Sequence, residues 1–271
     1  MELKDFTPAQ TLMLTKPLGV AGKDLMKYSF LDLIYRGVLK VYKDWRLPNQ
    51  RDSTERLYTF VARGELFTNY QNSYHQDPFV APFQEDDHEY QVRTLVKKVF
   101  KESGKGAGFK SKRVYKQLRK EGYFSTSLGL KHLNFFFLND QGSTLKKRFK
   151  RILKEADEAL PGFANTNKEE AKKIVKTLGS NILLLECFKD DLIEKLKPIF
   201  AELGRKYENF SDGPTLDNED MFEILFYAFL DTIDDFDSSY DSFDSSFDFG
   251  GSDFGGDFGG GDFGGDFGGV D

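Results

Sequence analysis

The sequence predicts a mainly α-helical protein with short β-hairpins, of the α+β class. Apolar residues recur at helical spacing through most of the first 230 positions, and two short strand-like runs separated by a polar stretch interrupt them. From about Phe236 the composition changes to aspartate, glycine, serine and aromatics. The chain has 271 residues and 39% hydrophobic content, so the part before that change has room for one large domain or two small ones.

Thr7-Pro8 is a helix start, a capping hydroxyl followed by proline at the first helical position, leading into Ala9 to Thr15 before Pro17 and Gly19. Lys23 to Arg36 places Leu25, Met26, Phe30, Leu33 and Ile34 at helical spacing, and Gly37 closes it. Val38 to Tyr42 reads as a strand. A polar stretch from Lys43 to Glu55 separates it from a second strand, Arg56 to Val61. Helix, helix, hairpin is the order of a winged-helix-like unit, assigned to residues 1–76.

A linker with Pro78 and Pro82 leads to a second winged-helix-like or helical unit, 85–160. Tyr90 to Glu102 carries Val92, Leu95, Val96, Val99 and Phe100 on one face, and Gly104 to Gly108 turns the chain. Lys110 to Glu121 is a helix burying Val114, Tyr115 and Leu118. Leu133 to Leu138 is expected as a buried strand, and Leu145 to Leu160 as a helix stopped by Pro161-Gly162. C-terminal helices fill 165–235. Asn167 with Glu170 forms a capping-box pattern opening Lys168 to Leu178, Ile182 to Leu203 is a long helix with a kink or new start at Pro198, and Asp217 caps a last helix through Phe229. No apolar run approaches the ~18 residues that span a bilayer.

Residues 236–271 pass through Asp-Ser-Ser-Tyr and Asp-Ser-Phe units into Asp-Phe-Gly-Gly repeats. Glycine maximises the entropy lost on ordering, the aspartates repel, and only Phe and Tyr recur as apolar residues, so the segment is expected to be a disordered acidic tail. Phe249, Phe254, Phe258, Phe263 and Phe267 are regularly placed where an inert spacer would carry Ser or Thr, and they read as points of interaction.

Charge divides along the same boundary. The net charge of −6 averages a stretch from Asp231 onward, with twelve Asp and no Lys or Arg, and a body with 38 basic against 32 acidic residues. Lys110, Lys112, Arg113, Lys116, Arg119 and Lys120 crowd one predicted helix, and Lys146, Lys147, Arg148, Lys150, Arg151 and Lys154 another. Cations in a first turn oppose the helix dipole by roughly 0.3–1 kcal/mol each, so these residues suit a polyanion or acidic partner better than helix stability, or else they solvate an outer face.

The run Phe30 to Val41, leucines on a helix and then Arg36-Gly37 and a leucine-bearing strand, resembles a winged-helix junction, with a second copy at Val114 to Phe124. Paired units of this sort ending in a Gly- and aromatic-rich tail resemble the cytoplasmic part of a family of uncharacterised bacterial membrane-associated proteins. This chain lacks their transmembrane segment, and that family brings no catalytic residues. A similar junction occurs in lipid-binding proteins of the Golgi-phosphoprotein type.

Other features are read without catalysis. Gly104 to Gly108 with Lys110-Ser111 has the wrong spacing and context for a phosphate-binding loop. His88, in Asp86-Asp87-His88-Glu89, has no second His or Cys at ligand spacing, so no metal and no cofactor is expected. Cys187 sits among leucines as a small apolar residue. Trp45 either stands exposed between cations or folds back on the core. A single cysteine and a start without an apolar leader point to the cytoplasm. The expected function is non-enzymatic: an adaptor that binds a protein partner or a second copy of itself through the tail, which masks the basic body. The alternative is a nucleic-acid-binding regulator, and peripheral membrane contact stays open.

Overall fold

The computed structural model describes residues 2–48, 53–84, 88–125, 136–204 and 232–244. Helix α1 (Pro8–Thr15) begins as its sequence dictates. Thr7 Oγ1 accepts from the Gln10 N–H, and the Gln10 side chain accepts from the Thr7 N–H. Ala9, Met13 and Leu14 make α1 a buried strut against α2 (Gly22–Tyr35). Gly37, at φ +66°, reverses the chain into β1 (Leu39–Arg46), which pairs antiparallel with β2 (Arg56–Arg63), Leu39 opposite Arg63 and Arg46 opposite Arg56.

The strands are longer than expected, and there is a third. Tyr90–Gln91, predicted as a helix start, forms β3 on the outer edge of β2, with Phe60 opposite Gln91, before α4 (Val92–Glu102) begins. Pairing satisfies an edge that would otherwise leave backbone groups unbonded. The region expected to open a second unit therefore completes the sheet of the first, in the order β1-β2-β3.

Short α3 (Asp77–Val80) inserts Phe79 into the core. After Gly104 a single helical rod follows in three hydrogen-bonding patterns: α5 (Lys105–Gly108), a π-helical stretch (Phe109–Tyr115) and α6 (Lys116–Lys120). Of the predicted strand 133–138, residues 133–135 lie outside the described residues, and Leu138 makes an isolated bridge to Phe124. The helix predicted to follow Asp217 also lies outside them.

Two predicted helix ends move. Helix α7 (Asp140–Thr166) runs through Pro161, because Leu160 before it and Ala164 after it are both buried and side chains of Asn165 and Thr166 donate to the carbonyls of Pro161 and Gly162. Helix α8 (Lys168–Leu178) follows with the predicted Asn167 cap. The long helix predicted from Ile182 is divided into a 3₁₀ turn (Gly179–Leu184) and α9 (Asp190–Gly204). Buried Asn181 anchors the turn, its amide donating to the carbonyls of Leu3, Phe6 and Leu178 at 3.0, 2.8 and 3.2 Å, and in the break that follows the Glu186 and Cys187 N–H groups donate to the Asp157 carboxylate. Pro198 lies within α9.

The largest difference lies at the expected start of the tail. Residues 232–244 form a helix, α10, and Phe236, Tyr240 and Phe243 are buried in one hydrophobic cluster that begins at Leu3. The segments read as separate units share this core. Aromatic rings connect it: Phe109 edge-on to Phe79, Phe79 stacked on Phe30, Phe30 on Phe236, and Tyr240 edge-on to Phe100.

Candidate functional site

The acidic segment meets the body in a groove between α2, α4 and the glycine turn. Three aromatics of α10 point into it at spacings of four and three residues. Phe236 is 0% exposed and stacks on Phe30 at 6.0 Å, Tyr240 packs edge-on to Phe100 at 5.1 Å, and Phe243 lies under Lys97 and Arg93 at 5.4 and 5.7 Å.

The rim is ionic. Asp237 meets Lys27 at 2.9 Å and Lys23 at 3.3 Å, Asp241 meets Lys23 at 2.7 Å, and the Thr59 hydroxyl donates to Asp235. Burial pulls the Lys23 ammonium down, but Asp241 and Asp237 outweigh it and leave the pKa above the ordinary lysine value. Burial, with Asp244 and Asp241 nearby, pushes the Tyr240 hydroxyl up to about 12.

The floor explains the glycines. A Cβ on Gly22 would lie 2.1 Å from the Gly106 carbonyl oxygen, and one on Gly106 would lie 2.1 Å from Tyr240 Oη. The glycine run read from sequence as a turn is thus a landing where α2, α5 and Tyr240 meet without side chains between them.

The predicted basic residues lie elsewhere and divide into two kinds. Lys110 is drawn inward: its ammonium donates to the carbonyls of Val20 at 2.8 Å and Leu18 at 3.4 Å, lies 4.8 Å from the Phe136 ring, and has its pKa lowered by burial. Arg113 sits 4.8 Å over Tyr74, and Arg119 is half-buried. Lys112, Lys116 and Lys120 are exposed, as are Lys147, Arg148, Lys150, Arg151 and Lys154, while Lys146 is half-buried. Arg151 and Lys154 face Glu155 and Glu158 one turn on, at 3.6 and 3.7 Å. The described acidic residues at 235–241 pair with α2 and β2 and not with these helices. Phe249, Phe254, Phe258, Phe263 and Phe267 lie outside the described residues.

Lys23 and Lys27 make these pairs although Asp24 and Asp32 lie on the same helix. Asp32 is turned inward. It accepts from Arg36 at 2.8 Å and Gln76 at 2.7 Å, and Arg36 also donates to Ser180. Burial pushes its carboxyl above the usual range against these donors. The half-buried Arg36-Gly37 junction is thus braced on a buried carboxylate.

His75 is another brace, with no signal in the sequence. Gln117 donates its amide to Glu121 and so presents its oxygen to His75 Nδ1 at 3.0 Å, which leaves Nε2 to accept from the Thr7 hydroxyl at 3.0 Å. Burial brings its pKa down to about 4. Cys187 is pushed up to about 12 by burial and Asp157, so it is a protonated thiol at neutral pH. Among the described residues no group of three His, Cys, Asp or Glu is placed to hold a metal ion. No described helix is long and apolar enough to cross a membrane. Trp45 stands exposed, at 61%, opposite Leu57 on the hairpin.

No protein-family model matches the chain, and no curated protein or solved structure matches it.

Proposed function

We propose that this chain is a binding or adaptor protein, working without catalysis, whose folded part is built on a winged-helix-like helix–helix–hairpin and whose acidic C-terminal segment regulates access to the body. The observation that carries the reading is the mode of contact at α10. Buried aromatic anchors ringed by Asp–Lys pairs have the anatomy of a helix bound in a groove, not that of an interior helix. The body recognises an acidic segment, and the remaining aspartates from Asp248 onward extend the charge available for masking.

The exposed lysines on α6 and α7 favour a second reading, nucleic-acid binding. One pair of titrations tests both. A chain ending at Asp244 keeps α10 and loses the rest of the acidic segment. In low salt it should bind labelled polyglutamate at least about tenfold more tightly than the full chain, given the high effective concentration of a tethered competitor. Equal affinities would remove the masking role. The second reading requires duplex DNA or RNA to bind with a steep salt dependence that Lys147→Glu with Lys150→Glu abolishes.

A further inference from the structure

The C-terminal segment repeats the first seven positions of its groove-binding pattern, with Gly250 in the second copy where the first has the aromatic Phe243. Residues 236–242 read Phe-Asp-Ser-Ser-Tyr-Asp-Ser and residues 243–249 read Phe-Asp-Ser-Ser-Phe-Asp-Phe, identical at five of seven positions with an aromatic at a sixth. In the first copy the aromatics and aspartates have observed uses. The first and fifth residues are the buried anchors Phe236 and Tyr240, and the second and sixth are Asp237 and Asp241, paired with Lys27 and Lys23. Phe243 both completes the first copy's stripe at the eighth position and opens the second.

The occupant is a poor helix by itself. Five of its thirteen residues are Asp and three are Ser, residues that favour caps and turns over helix interiors, and a segment of this length is marginal in water even with good helix formers. Its helicity therefore comes from the groove. Folding on docking is how short recognition segments bind, and here the segment is tethered to its own receptor.

We propose that the groove formed by α2, α4 and the Gly104–Gly108 turn is a peptide-recognition site. Its ligand class is an acidic amphipathic helix with aromatics at positions i, i+4 and i+7 and an aspartate directly after the first two. Residues 236–243 are its resident intramolecular ligand, and the trans occupant is a partner protein presenting the same pattern. Lys23 and Lys27 read the two aspartates, while Phe30 and Phe100 form the aromatic contacts. The inference deepens the adaptor reading by naming the partner's chemistry and rests on that reading. It does not depend on the exposed lysines of α6 and α7.

The test uses the full chain and a fluorescent synthetic peptide of residues 232–249. Wild-type protein, with its groove filled, should bind the peptide weakly. The variant Phe236→Ser with Tyr240→Ser should bind it at least about tenfold more tightly, because the tethered competitor is removed. A scrambled peptide of the same composition should not bind that variant. Equal binding by wild type and variant, or equal binding of matched and scrambled peptides, overturns the proposal. A charge exchange keeps the question answerable if the double variant does not fold. The variant Lys23→Glu with Lys27→Glu should prefer a peptide bearing Asp237→Lys and Asp241→Lys over the native peptide, and no such preference overturns the proposal as well. Failure here with enhanced polyglutamate binding by the chain ending at Asp244 would remove the recognition site and leave the masked adaptor standing.

Discussion

His75 joins the start of α1 to the rod at Gln117 through a ring that must stay neutral to make both hydrogen bonds. Its folded pKa, about 4, lies below the ordinary 6.5, so between these values the unfolded chain binds more protons than the folded one. Stability from this residue is complete above about pH 6.5 and is lost as pH falls toward 4. At about 1.4 kcal/mol per unit, the loss amounts to roughly 3 kcal/mol at most. Denaturant titrations across that window should show a shallower acid dependence for His75→Gln than for wild type, and parallel curves would refute the assignment. Nothing in the sequence announced His75, or Asn181 with its three carbonyl acceptors. A lone buried polar side chain reveals its purpose only when distant backbone is brought to it, here Leu3 and Phe6 to position 181.

Helix α10 depends on what lies beneath it. Ala normally stabilises a helix over Gly by up to about 1 kcal/mol, but at position 106 the added methyl would collide with Tyr240 Oη, so Gly106→Ala should destabilise the protein by about 1–3 kcal/mol. Tyr240→Phe removes the hydroxyl, and the double variant should regain a large part of the loss in a double-mutant cycle. Strict additivity would show that the two positions do not touch. Elements specified by neighbours in sequence were legible: the Thr7 cap of α1, the apolar stripe of α4, the Asn167 cap of α8. Pro161 misled because burial of Leu160 and Ala164 outweighed a local stop signal. At α10 the composition led to an expectation of disorder, whereas residues 232–244 are helical, because composition carries no information about a groove made by residues 22–106. The spacing of Phe236, Tyr240 and Phe243 by four and three residues was the readable sign that one face of a helix was present.

At the scale of the whole molecule, the division of charge read from sequence is realised in part as contact. The pairs at Lys23 and Lys27 are partly exposed, so each contributes up to about 1 kcal/mol and is screened by salt. Hydrogen-exchange protection of residues 232–244 should fall on the order of tenfold between low salt and about 1 M, while protection in α1 stays constant. A salt-independent α10 would mean that the aromatics alone hold it. The expected separate units were not legible as a shared interior, because periodicity shows which residues are buried but not which segments bury one another. The single hydrophobic cluster and the aromatic chain from Phe109 to Phe100 through Phe236 make that plain.

The order of the groove along the chain also has a consequence for biosynthesis. Lys23, Lys27, Phe30, Arg93, Lys97, Phe100 and Gly106 all precede residue 110, whereas their occupant begins at residue 232. A ribosome adding about 5–20 residues per second releases the receptor on the order of ten seconds before the segment that covers it. Each new molecule therefore passes through an interval in which the residues that line the groove exist before the segment that covers them.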